Sequence, residues 1–141
     1  MNDQTQLRER CPLRIFLVEN HRDTAEYLRE YLERIGYQVV LGRNMEMTLK
    51  EFPEAKCNLL ICDIGLPDGN GWELMQKLRS TGKFVALAMS GYATADDIER
   101  SKAAGYLHHL IKPFSPQVLE AVLEQIGEDL RSESENVCGH E

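Results

Sequence analysis

Residues 59–63 read LLICD and residues 84–89 read FVALAM. A strand with one wet face alternates apolar and polar side chains. Residues 59–62 of the first and all of the second are apolar on successive residues, so both of their faces must be covered, as in a parallel sheet with helices on each side. Three more short apolar runs flank them: RIFLV at 14–18, QVV at 38–40 and YLHHLI at 106–111. Between and after the runs lie stretches at 23–36, 45–52, 71–81, 94–105 and 116–130. The longer ones carry helical spacing, with Leu28, Leu32 and Ile35 in the first and Leu119, Val122, Leu123, Ile126 and Leu130 in the last. Those stripes read as core and imply no cofactor.

Five βα units predict an α/β fold built on a five-stranded parallel, doubly wound sheet. Right-handed crossovers make the flavodoxin-like order 2-1-3-4-5 the expected arrangement. A chain of 141 residues with 43% apolar composition suits one such domain. Residues 13–130 are assigned to it. The polar, aperiodic segments 1–12 and 131–141 have the composition of flexible tails.

The net charge of −7, from 23 acidic and 16 basic side chains, gives no electrostatic reason to seek nucleic acid or an anionic membrane. No apolar run approaches the roughly 20 residues needed to cross a bilayer, and the opening MNDQTQLRER is too polar for a secretory signal. A cytoplasmic protein is expected. The cysteines at 11, 57, 62 and 138 lack the paired spacing of a zinc site and read as reduced, unligated thiols; Cys138 and His140 make a poor metal pair.

Ligands of such sheets bind outside the carboxyl ends of the strands. The polar residues ending the apolar runs are Glu19, Asn20, Asp63, Ser90 and Lys112. Singly, each has an ordinary role: Asp63 starting a turn, Ser90 capping the helix at 94, Lys112 as a solvated strand end. Together they offer acids for a hard divalent cation, a nucleophilic carboxylate, a small hydroxyl and a cation. That combination describes phosphoryl transfer. The glycines of PDGNG, Gly69 and Gly71, read as turn residues that permit positive φ rather than as a nucleotide loop. His21, at the start of the first helix, and His108, in a strand, are given no catalytic role.

The blocks LVEN (17–20), CDIGLPDGNGWELM (62–75), AMSGYA (88–93) and HHLIKPF (108–114) resemble, in order, the signature blocks of bacterial receiver domains from two-component signalling. Separations of 44, 27 and 22 residues between Glu19, Asp63, Ser90 and Lys112 add specificity to the match. The resemblance implies that Asp63 takes a phosphoryl group from the phosphohistidine of a histidine kinase or histidine phosphotransfer protein. It implies magnesium held by Glu19, Asp63 and the Gly65 carbonyl, with Asn20 at the position of a further acid. It also implies phosphoryl oxygens bound by Lys112 and Ser90, and a cis Lys112–Pro113 bond. The protein would catalyse at most its own phosphorylation and dephosphorylation. Signalling is expected to pass to a separate, unidentified protein through the helix at 94–105, strand five and the last helix.

Two departures stand out. At Asn20 an amide oxygen can still ligate magnesium or hold a bridging water, but it adds no negative charge to attract the ion. His109 occupies a position where receivers carry tyrosine or phenylalanine that turns inward when the residue equivalent to Ser90 moves; it is either a switch or a passive exposed side chain. Asn20 motivates an alternative in which the domain is a phosphorylation-independent interaction module, and a receiver excised from a hybrid histidine kinase is another. A phosphatase generally wants a second acid where Gly65 stands, and a flavin carrier a hydroxyl-rich loop where ENHRD stands.

Overall fold

The computed structural model describes residues 13–139, with 134–139 described in backbone alone. The expected tail at 1–12 and the side chains of Cys11, Cys138 and His140 lie outside the described residues. Strands β1 (Arg14–Val18), β2 (Gln38–Gly42), β3 (Leu59–Asp63), β4 (Val85–Ser90) and β5 (His108–Ile111) alternate with helices α1 (Arg22–Arg34), α2 (Met45–Ala55), α3 (Gly71–Leu78), α4 (Ala95–Ala104) and α5 (Pro116–Gly139). All four pairings are parallel and the order is β2-β1-β3-β4-β5, the flavodoxin-like arrangement. Among the described residues no helix is long and apolar enough to cross a membrane.

Successive strand residues feed opposite cores, which is why the central strands are apolar throughout. Phe16, Val18, Leu60, Cys62, Ala86 and Ala88 pack toward α2, α3 and α4, against Phe52, Leu74, Met75, Leu78 and Ala104. Ile15, Leu17, Leu59, Ile61, Leu87 and Met89 pack toward α1 and α5, against Leu28, Leu32, Leu119, Leu123 and Ile126. Each fully buried large aliphatic side chain contributes roughly 1.5–3 kcal/mol. This double core holds the carboxyl ends of the strands in fixed register.

Several boundaries differ from the sequence reading. The helix expected to stop at 52, before Pro53, continues through it to Ala55. Pro53 lies in the last turn, where its ring removes a single backbone bond, to the Leu49 carbonyl. Its neighbour Phe52 is anchored edge-on between Phe16 and Phe84, at 5.5 and 4.8 Å. The last helix runs past Leu130, where its core-facing stripe ends, so residues 131–139 of the expected tail are helical. That stretch contains no helix breaker before Gly139.

Gly69 and Gly71 are not at positive φ, unlike Gly36, Gly82 and Gly105. What they supply is room. A Cβ on Gly69 would stand 2.7 Å from Met45 Cε, and one on Gly71 would stand 3.1 Å from Ile64 Cα and 3.2 Å from the Tyr106 hydroxyl.

Gly42 presents the tightest such approach, where a Cβ would lie 2.6 Å from Phe16 Cε1 and 2.7 Å from Thr48 Oγ1. Both neighbours are fully buried. Gly42→Ala should therefore destabilise the fold by about 1–3 kcal/mol through overpacking. A lower urea midpoint at unchanged slope is the expected signature, and an unchanged midpoint would mean that Phe16 and Thr48 have room to retreat.

Candidate phosphoacceptor site

Four strand ends meet at the carboxyl edge of the sheet. Glu19 follows β1 and is buried although charged, Asp63 ends β3, Ser90 ends β4, and Lys112 follows β5. Backbone bonds fix this cluster: Glu19 N–H donates to the Gly42 carbonyl at 3.0 Å, Ile64 N–H to Met89 at 2.9 Å, and Lys112 N–H to Ser90 at 2.7 Å. The Lys112–Pro113 peptide bond is cis, as the resemblance implied.

Lys112 Nζ donates to Glu19 Oε1 at 2.5 Å and to Asp63 Oδ2 at 2.6 Å, so one ammonium bridges two carboxylates. Burial works against that ammonium. The hydrogen bonds and charges of Asp63 and Glu19 outweigh it, and its pKa lies above that of an ordinary lysine. The second oxygen of each acid is held by backbone: Asp63 Oδ1 accepts from Gly65 N–H at 3.0 Å, and Glu19 Oε2 from His21 N–H at 3.2 Å. Asn20 is exposed beside Glu19. Among the described residues no group of three or more His, Cys, Asp or Glu side chains is placed to hold a metal. Cys62, next to Asp63, is no rival nucleophile, since burial pushes its thiol up to about 12.

Ser90 and His109 form a second group. The His109 ring is half-buried rather than splayed into solvent, with Nε2 2.7 Å from Ser90 Oγ and Nδ1 2.8 Å from Ser101 Oγ. Ser101 Oγ in turn accepts from Trp72 Nε1 at 2.9 Å. His21 caps α1, its ring accepting from Thr24 N–H, and His108 is exposed on β5. Neither joins the site.

Burial pulls His109 below the usual histidine value, and the charge of Asp97 opposes it. A base whose folded pKa is depressed contributes stability above its unfolded value that is lost as pH falls through the folded one. Stability should thus fall on acidification from about pH 7.5 to 5.5. Urea midpoints should fall less over this range in His109→Phe, and equal falls in both proteins would assign the loss to other groups.

The sequence reading missed Asp68 and Ser101. Asp68 caps α2 from the turn after β3, accepting from Met45 and Glu46 N–H at 2.7 and 3.0 Å; Asp-Gly in that turn was its only signal. Ser101 gave none, and although PDGNGW puts Trp72 near the site, its bond to Ser101 has no readable pattern.

A model of the response regulator receiver domain matches residues 15–124. The transcriptional regulatory protein PcoR of Escherichia coli is 32% identical over 129 residues, covering 89% of this chain and 56% of PcoR, so the chain spans little more than half of that relative. Chemotaxis protein CheY1 of Helicobacter pylori (strain ATCC 700392 / 26695) is 28% identical over 119 residues, covering 81% of this chain and 96% of CheY1. The crystal structure of a two-component response regulator from Clostridium difficile superposes with a TM-score of 0.78 at 26% identity, covering 81% of this chain and 94% of that one. With the family model spanning the sheet and all four strand ends, this chain belongs to the response regulator receiver domain family.

Proposed function

We propose that Asp63 accepts a phosphoryl group from the phosphohistidine of a histidine kinase or histidine phosphotransfer protein, and that Ser90 and His109 carry the change to an interaction surface. The observation that supports this most directly is Lys112 bridging Asp63 and Glu19 at the carboxyl edge. An Asp63 oxygen forms the new bond to phosphorus while the donor nitrogen leaves with the electron pair of the broken bond. The product brings about 1.5–2 negative charges. Lys112, already held against Asp63, faces that charge, and Ser90 has a hydroxyl to donate to a phosphoryl oxygen.

The oxygens at this edge suit magnesium, which typically binds through one or two carboxylates and keeps several waters. Glu19, Asp63, the Asn20 amide and the Gly65 carbonyl are the residues that would hold it. Bound there, the ion would offset charge on the transferring phosphoryl group.

The proposed output surface is α4, β5 and the start of α5, where Leu107, Ile111 and Val118 leave apolar side chains exposed. A separate protein is the proposed partner, with no direct contact to nucleic acid or membrane, in the cytoplasm. The protein would act as a signalling module that turns over only its own phosphoryl group.

Incubation with acetyl phosphate and magnesium, followed by intact mass, tests the reading. One added phosphoryl group in the wild type and none in Asp63→Asn is expected. An unmodified wild type would favour the phosphorylation-independent module that Asn20 suggests, and a shift persisting in Asp63→Asn would place the acceptor elsewhere.

A further inference from the structure

Ser90, His109, Ser101 and Trp72 form a continuous hydrogen-bonded chain from the carboxyl edge of the sheet, across β5 and α4, to α3. The direction of each bond follows from its terminus. An indole N–H only donates, so Ser101 Oγ must accept from Trp72. Ser101 is 1% exposed, and among the described residues its own proton has one acceptor, His109 Nδ1. If Nδ1 carried the ring proton, Ser101 would accept twice and its hydroxyl proton would be buried without an acceptor, the more costly arrangement.

With Ser101 donating to Nδ1, the proton of the neutral ring sits on Nε2, which then donates to Ser90 Oγ at 2.7 Å. Ser90 Oγ is thereby an acceptor on the protein side. Among the described residues its remaining proton has no partner, so it is free for an acceptor arriving at the edge.

We propose that Ser101 and Trp72 are positioning residues that lock His109 as the Nε2–H tautomer, and that this makes Ser90 a hydroxyl donor toward a phosphoryl oxygen on Asp63. The ring exchange of a tyrosine or phenylalanine is here replaced by a directed polar chain, in which an aliphatic side chain at position 101 would leave Nδ1 without its donor. The second half of this inference rests on the phosphoacceptor reading above; the tautomer does not.

Two measurements separate them. Long-range proton–nitrogen correlation spectra of labelled protein at neutral pH should place the His109 proton on Nε2. A proton on Nδ1, or on both nitrogens, overturns the proposal whatever the protein does with phosphate.

Phosphorylation by acetyl phosphate should slow about three- to tenfold in Ser101→Ala, the weight of one hydrogen bond lost, and return to within about twofold of wild type in Ser101→Thr. Trp72→Phe, which keeps a ring and loses the N–H, should slow it in the same direction. An unchanged rate in Ser101→Ala, measured on a protein whose thermal unfolding is still cooperative, overturns the positioning role. If the wild type takes up no phosphoryl group, the phosphoacceptor reading and the Ser90 role fail together, and the tautomer lock is decided by the spectra alone.

Discussion

Lys112→Met should lose about 2–3 kcal/mol of stability at neutral pH. The methionine keeps much of the aliphatic stem but removes the ammonium that contacts Glu19 at 2.5 Å and Asp63 at 2.6 Å. Removing one partner of a buried pair typically costs 3–5 kcal/mol, because a charge is left desolvated and unpaired. Here the Glu19 side chain is 1% exposed, whereas those of Asp63 and Lys112 are 14% and 24% exposed, so water softens the full penalty.

Two readouts follow from that variant. Its urea midpoint should drop below that of wild type. Magnesium should stabilise Lys112→Met more than wild type, because a divalent cation held by Glu19 and Asp63 would offset the charge that the missing ammonium no longer neutralises. Glu19→Gln added to Lys112→Met should restore stability by removing one of the two acids. A double variant no more stable than Lys112→Met would show that the cost lies in packing of the lysine stem and not in charge.

What could be read from the sequence, and what could not, divides along the range of the interactions involved. LLIC (59–62) and FVALAM (84–89) declared their burial because a strand covered on both faces needs no polar residue, and the register places every one of those side chains in one of two cores. Glu19, Asp63 and Lys112 were legible because each interrupts an apolar run at the strand end. Strand order is a matter of which strand neighbours which; periodicity is silent on it, and the handedness of the crossovers supplied the expectation. Gly69 and Gly71 were read as backbone specialists, yet their constraint comes from Met45, Ile64 and Tyr106, which are distant in sequence or reach them only after the turn has folded. The interval read as helix stopped at 52, yet the cost of the one backbone bond that Pro53 removes near a terminus is small beside the burial of Phe52. The chain through Ser101 was invisible because a serine in an amphipathic helix looks the same whether it faces water or a ring nitrogen.

Asn20→Asp should tighten magnesium binding by about tenfold in the unmodified protein. The amide sits beside Glu19, exposed at the mouth of the site, so the substitution adds a charge without burying it. At an effective dielectric near 20, unit charges about 4 Å apart interact by roughly 4 kcal/mol, and an exposed position with mobile ions in the cleft cuts that ceiling severalfold. A remainder of about 1.4 kcal/mol is one decade in affinity. Lys112 is already engaged by Glu19 and Asp63, so the new charge is less neutralised by that ammonium than theirs are.

The advantage should shrink once a phosphoryl group, or a beryllofluoride mimic of one, is bound at Asp63, since the added negative charge supplies part of what Asn20 withholds. In the wild type, metal and phosphoryl group should therefore reinforce one another more strongly than in Asn20→Asp. Magnesium titrations of both proteins, with and without the mimic, can be followed by Trp72 fluorescence. That indole is joined to Ser90 through Ser101 and His109 and lies 4.1 Å under the Arg100 guanidinium, so a change at the strand ends has a bonded route to it. Equal affinities without the mimic would mean that the Asn20 amide, or a water it holds, serves the ion as well as a carboxylate, and the charge argument would be wrong.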